Sequence, residues 1–239
     1  PLVIWVSSLL LLLFILVLVG GATRITDSGL SITEWEVLIG ILPPLSESSW
    51  FIEFEKYKKI PEYILVNSSM TLSEFKVIYL WEWGHRLLAR LVGLVCVIPL
   101  IIFYFMKKLS KPVIRRSVLI SILIWIQGYI GWYMVQSGLT QRVDVSQYRL
   151  SIHLLMAFII IYNTLMLLFE VANIKLVNTN GTRPIWFSFF SIVVFVQIFS
   201  GGLMSGLDAG LVYPTWPLMG LSVVPVSYTH LTLPTIALV

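Results

Sequence analysis

The chain has 239 residues, of which 58% are hydrophobic and only 12% charged, with a mean hydropathy of +0.91. A soluble domain carries about 25% charged residues, so these proportions exclude a soluble globular enzyme and point to a polytopic all-α membrane protein. The formal charge is only +4, and the placement of the basic residues argues for a membrane topology signal, not for nucleic-acid binding.

A helix needs about 20 apolar residues to cross the hydrocarbon core. Five runs qualify, near residues 2–19, 79–106, 118–135, 150–171 and 185–203. The chain opens on Pro1 rather than Met, and the N-terminus reads as incomplete. Gly20-Gly21 closes the first run and leads into a long loop, 22–76, with five basic and eight acidic residues. The second run holds the one cysteine, Cys96, so no disulfide framework can form. The loop after it carries Lys107, Lys108, Lys111, Arg115 and Arg116 and no acid. By the positive-inside rule that loop faces the cytoplasm or its equivalent, and 22–76 lies outside. Lys175 and Arg183 put the loop after the fourth run on the inner side too. The second and fourth helices therefore both start at the outer face and run inward.

The fifth run ends like the first. Gly20, Gly21, Asp27, Gly29, Leu30 and Trp35 recur as Gly201, Gly202, Asp208, Gly210, Leu211 and Trp216, each 181 residues on. Six identities in sixteen positions, each after an apolar helix, read as a duplication. Asp-x-Gly turns and Gly-Gly helix ends are also common loop chemistry. The expected organisation is a four-helix unit over 1–175, the opening of a second unit over 185–225, and a tail, 226–239, that continues neither the repeat nor a helical period. That tail resembles a translated sequencing-adapter artefact, so its His230 is set aside. On this reading the chain is cut off at both ends.

Two histidines remain. His85 follows Trp81-Glu82-Trp83-Gly84 at the outer end of the second helix, and His153 follows Tyr148-Arg149-Leu150-Ser151-Ile152 near the outer end of the fourth. Ionisable groups within a membrane are costly and mark functional sites. Four residues beyond each histidine stands an alanine, Ala89 and Ala157, on the same helix face. Gly93 and Cys96 continue the first strip. Two depth-matched imidazoles beside small residues suit a porphyrin with two axial ligands, each roughly 2 Å from the metal. Small residues also simply let helices pack closely. Zinc fits less well, because no cysteine or second carboxylate completes a tetrahedral set.

Glu82 stands three residues before His85 and four before Arg86. Spacing alone leaves open whether it serves chemistry or pairs with Arg86. Arg86, Arg90 and Arg149 flank the expected pocket and could hold heme propionates. Snorkelling to the interface would equally explain Arg86 and Arg149. Trp35, Trp50, Trp81, Trp83 and Trp216 read mostly as an interfacial belt, and Gln127 and Asn163 as interhelical hydrogen bonders.

At this point the motifs resemble a known family. Gly20-Gly21-Ala22-Thr23-Arg24, Glu82-Trp83-Gly84-His85-Arg86, Tyr148-Arg149-Leu150-Ser151-Ile152-His153 and Asp208-Ala209-Gly210 with Tyr213-Pro214-Thr215-Trp216-Pro217 are similar, in order, to the heme A synthase family. The cysteine-free outer loop resembles the branch found in alphaproteobacteria and mitochondria. The resemblance implies an eight-helix inner-membrane protein, bacterial or mitochondrial, built from two four-helix halves. It implies oxidation of the C8 methyl of heme O to the formyl of heme A for cytochrome oxidase assembly. It implies that His85 and His153 ligate the substrate heme iron, that Glu82 is essential to the chemistry, and that a b-type heme occupies the second half, whose histidine pair this chain lacks. Heme O synthase, oxidase assembly proteins, membrane lipid and a second copy of the chain are the expected partners. Two other functions stay open on the residues alone: a b-type cytochrome that only passes electrons, and a transporter, since helical repeats suit that class as well.

Overall fold

The computed structural model describes residues 1–35, 39–140, 142–174, 185–212 and 218. Each apolar run becomes a helix longer than the run itself, because lipid offers the backbone no hydrogen-bond partner and every N–H and C=O must be satisfied within the segment. The spanning helices are α1 (Leu2–Ile25), α4 (Leu72–Phe105), α5 (Lys111–Thr140), α6 (Gln147–Val171) and α7 (Ile185–Gly206). All five are long and apolar enough to cross a membrane, and the protein is an integral membrane protein. The extra turns lie in the polar margins. Helix α1 runs straight through Gly20-Gly21 and stops only at Ile25. A left-handed Asp27 follows, at φ 46°. Helix α7 runs through Gly201-Gly202, and Asp208, 181 residues on, takes φ 50°.

Helix α1 packs against α4 and α6, and α5 packs against the same two. The four form a ring with α4 and α6 at opposite corners. Helix α7 lies outside it, against α6. The ring's interior is filled by Trp5, Val6, Leu9 and Leu13 of α1, Val92 and Cys96 of α4, Val113 and Ile120 of α5, and Ile160, Ile161 and Leu167 of α6. Ile4, Leu11, Leu18, Trp125 and Phe190 are largely exposed, as lipid-facing residues must be. Arg116 of α5 pairs with Glu170 of α6 at 3.2 Å near the lysine-rich face.

Pro99 lies inside α4. It has no N–H, so the carbonyl four residues back, that of Val95, has no helical donor. The indole of Trp5 donates to that oxygen at 2.7 Å, which fastens α1 to α4. Trp5→Phe leaves a buried acceptor unsatisfied, at a cost of about 1–3 kcal/mol. In a Pro99→Ala background the helix supplies its own donor, so the same change is expected to cost measurably less. Thermal unfolding of the four proteins in lipid nanodiscs checks this, and an equal cost in both backgrounds refutes it.

The segment 22–76, expected as a loop, holds two further α-helices among its described residues, α2 (Glu47–Tyr57) and α3 (Pro61–Leu65), besides a 3-10 turn at Ile39–Ile41 and the ends of α1 and α4. Ser46 and Ser49 cap α2 reciprocally, and Thr71 and Glu74 do the same for α4. Pro61 opens α3, where its missing N–H costs nothing. Leu30, Phe54, Tyr57, Ile60, Phe75 and Tyr79 form a separate buried core between this cap and the top of α4. The Phe75 ring lies 5.0 Å from Phe54 and 5.2 Å from Tyr57, both in tilted pairs. Aromatic residues that the sequence suggested as an interfacial belt thus include some that build a cap: Trp50 meets Tyr79 edge-on at 5.1 Å, and Trp83 donates to the Ile41 carbonyl at 3.2 Å.

Candidate functional site

His85 and His153 come from the opposite corners, α4 and α6, at the end of the bundle that carries the cap. Each ring lies against a glycine of a neighbouring helix. A Cβ placed on Gly20 of α1 would stand 3.2 Å from His85 Nε2, and one on Gly131 of α5 would stand 3.0 Å from His153 Cε1. Each histidine thus packs closely against a neighbouring helix at a position where glycine leaves space for the ring. Of the small residues on the histidines' own helices, Ala89 is exposed, Gly93 and Ala157 are half-buried, and Cys96, buried in the bundle core, has its sulfur 3.3 Å from Ser121 Oγ.

Gln127 of α5 donates to the His153 carbonyl at 3.0 Å, and its amide nitrogen lies 3.4 Å from His153 Nε2. His153 Nδ1 and Gln127 Oε1 are both buried without a hydrogen-bond partner. The Gln127 amide lies at the Nε2 edge of the ring, and the buried Nδ1 is left without a protein partner. The sequence reading placed Gln127 among ordinary interhelical bonders and did not single out Gly20 or Gly131 for the site. No spacing rule connects residues on different helices, so the only available signal was that polar and small residues are unusual within long apolar runs.

Glu82 is buried, at 4% exposure, and its carboxylate is fully engaged. Ser31 Oγ and the Ile32 N–H donate to Oε2 at 2.7 and 2.8 Å, and Arg86 donates to Oε1 at 2.6 Å. Arg86 also donates to the carbonyls of Ile32 and Glu34, at 3.0 and 3.1 Å. The Glu82–Arg86 pair therefore pins residues 31–34 onto α4. Of the three expected arginines, Arg86 and Arg90 line a cavity of about 260 Å³ with Ile32, Glu34 and Tyr79. Arg149 donates to the Tyr133 carbonyl at 2.6 Å and stacks over that ring at 3.6 Å.

The cap adds one more carboxyl. Glu62 of α3 is 6% exposed, and its Oε2 is buried without a partner. Burial first, then the nearby carboxylates of Glu82, Asp144 and Asp27, push it up to about 8. At neutral pH it is held as the uncharged acid, the form that burial tolerates. Trp216, His230 and the tail 226–239 lie outside the described residues.

Fold and site together define a class: an integral membrane protein whose helical bundle carries a pair of imidazoles, flanked by arginines, beneath a folded cap. The chain belongs to the COX15-CtaA family, described as "Cytochrome oxidase assembly protein", which it matches over residues 3–236. It is 49% identical to the heme A synthase of Chelativorans sp. (strain BNC1) over 224 residues, covering 93% of this chain and 62% of that protein. It is 45% identical to the heme A synthase of Mesorhizobium japonicum over 221 residues, covering 92% and 61%. With the heme A synthase of Rickettsia bellii (strain OSU 85-389) the identity is 46% over 227 residues, covering 93% and 67%. The chain thus spans about three-fifths of the length of the first two relatives. No solved structure matches it.

Proposed function

We propose that the bundle holds a heme between His85 and His153 and that the protein oxidises the C8 methyl group of heme O to the formyl group of heme A. The observation that carries this reading is the pair of imidazoles from opposite helices, each backed by a glycine, with a buried ring nitrogen of His153 lacking any partner. That donor set fits a heme: imidazoles on two different helices would hold the group between them and supply nitrogen ligands to its iron. Among the described residues no three His, Cys, Asp or Glu side chains converge as a bare ion would require.

The iron of a bound heme supplies the redox chemistry. The protein supplies position and charge. His85 and His153 fix the ring's depth, and Gln127 orients His153. Arg86, Arg90 and Arg149 would hold propionates by charge-assisted hydrogen bonds, with Arg86 also anchored by Glu82 and two carbonyls and Arg149 by the Tyr133 carbonyl. Glu82, one turn before His85, moves a proton as the methyl is oxidised. The cap lies on the outer side of a bacterial inner membrane or a mitochondrial inner membrane. A b-type heme in a second half, heme O synthase and oxidase assembly proteins complete the proposal.

One observation favours a second reading. The Glu82 carboxylate is satisfied by three donors, as expected of a structural anchor in a b-type cytochrome that only passes electrons. Product analysis separates the two. This chain, continued by the remainder of the Chelativorans relative, is expressed in cells that make heme O but no heme A. Heme A among the extracted hemes is the expected result. Bound, redox-active heme with no heme A after a full growth cycle establishes the cytochrome.

A further inference from the structure

The outer end of α7 touches the supports of both histidines. Gly202 and Gly206 form a Gly-x-x-x-Gly pair on the face that meets α6. A Cβ on Gly202 would stand 2.8 Å from Ser151 Cα and Oγ, and one on Gly206 would stand 2.7 Å from Gln147 Cα and Cβ. These are backbone contacts with no slack. Ser151 is fully buried there. His153 follows it by two residues, about 200° around the helix. Ser151 therefore meets α7 on one face of α6 while His153 meets Gly131 of α5 on the other. A methyl added at the α7–α6 contact must separate the two helices, and a shift of α6 moves the His153 ring relative to Gly131 of α5.

The second link runs through Arg24. It stands four residues beyond Gly20, on the same face of α1. Its guanidinium donates to the Ser205 carbonyl at 2.9 Å, to Asp208 at 2.5 Å and to Asp27 at 2.8 Å. One cation thus joins the ends of α1 and α7, holding the two left-handed aspartates that stand 181 residues apart. Gly20, one turn below, is the glycine against which His85 lies.

We infer that the end of α7 is a spacer that sets the separation of His85 and His153, with Gly202 and Gly206 positioning His153 and Arg24 positioning His85. A helix outside the four-helix ring thereby tunes a site inside it. The inference rests on both histidines being axial ligands.

The test is titration of ferric protoporphyrin IX into this chain in lipid nanodiscs, read by absorption and low-spin electron paramagnetic resonance. Gly202→Ala adds one methyl at the contact. Gly201→Ala is its matched control: the same helix, the same gain in propensity, and open space around the new Cβ. Gly202→Ala is expected to weaken heme binding roughly 10–100-fold, as loss of ligand orientation does, and to shift the resonance g-values. Gly201→Ala is expected to stay within about twofold of the parent. Equal titrations and spectra for the two variants overturn the inference. Should Gly202→Ala fail to accumulate, Arg24→Met removes the other link without adding to any helix contact. A shifted spectrum with weaker binding then supports the spacer, and parental behaviour overturns it. Parental binding in His153→Ala would instead overturn the ligand reading, which separates that failure from failure of the spacer.

Discussion

His153→Ala is expected to convert bound heme from a six-coordinate, low-spin form to a five-coordinate, high-spin form and to weaken its binding roughly 100-fold. His85 and His153 are the only histidines among the described residues, and they approach from opposite corners of the ring. With either gone, no other imidazole among the described residues takes its place. The alanine also leaves a space between Gly131 and Gln127 the size of an imidazole. Added free imidazole is therefore expected to restore the low-spin spectrum, a rescue that a misfolded bundle would not show. His85→Ala should behave alike, with the space opening beside Gly20. Unchanged spectra in both variants would remove the histidines from the site.

Glu82→Gln is expected to lower heme A output at least about 100-fold, equivalent to roughly 2.7 kcal/mol of transition-state stabilisation, while heme content stays within a few-fold. An exposed helix pair at this spacing would cost only about 0.3–0.5 kcal/mol to remove. The structure raises it. The carboxylate is buried and receives donors from Ser31, Ile32 and Arg86, and an amide turns one of those contacts into donor against donor. Hydrogen bonds to charged groups contribute about 1.5–3 kcal/mol, so the variant should also melt earlier. Arg86→Met provides the comparison, because it breaks the same ion pair and frees the same 31–34 segment but keeps the carboxyl. A deeper loss of product in Glu82→Gln, at matched heme content, assigns the carboxyl to proton transfer. Equal losses in the two variants would make Glu82 an anchor for the cap. The measurement is extracted heme O and heme A per protein in the continued chain described above.

The spanning helices were legible because lipid imposes one rule on every residue in a run, and length and hydropathy report it directly. The histidines and Glu82 were legible for the converse reason, that polar groups in such runs are too costly to be incidental. Helix ends were less so. Gly20-Gly21 reads as a terminus by propensity, yet α1 continues to Ile25 because the backbone must stay bonded until it reaches polar surroundings. The cap helix α2 was missed because a short amphipathic segment in a polar loop gains its stability from the aromatic core it buries, through contacts with Phe75 and Tyr79 far along the chain.

What the sequence determined by itself was the all-helical membrane class, the five spans, the motif set and the residue types available for chemistry, all of them consequences of local composition and spacing. What only the tertiary structure decided was which residues of different helices meet. Gly20 lies against His85, Gly131 against His153, Trp5 against the carbonyl that Pro99 leaves free, and Arg24 against Asp208. Within a helix, 3.6 residues per turn sets the neighbours in advance. Between helices no such period exists, and contact depends on the crossing and rotation that close packing and hydrogen-bond satisfaction select for the whole bundle at once.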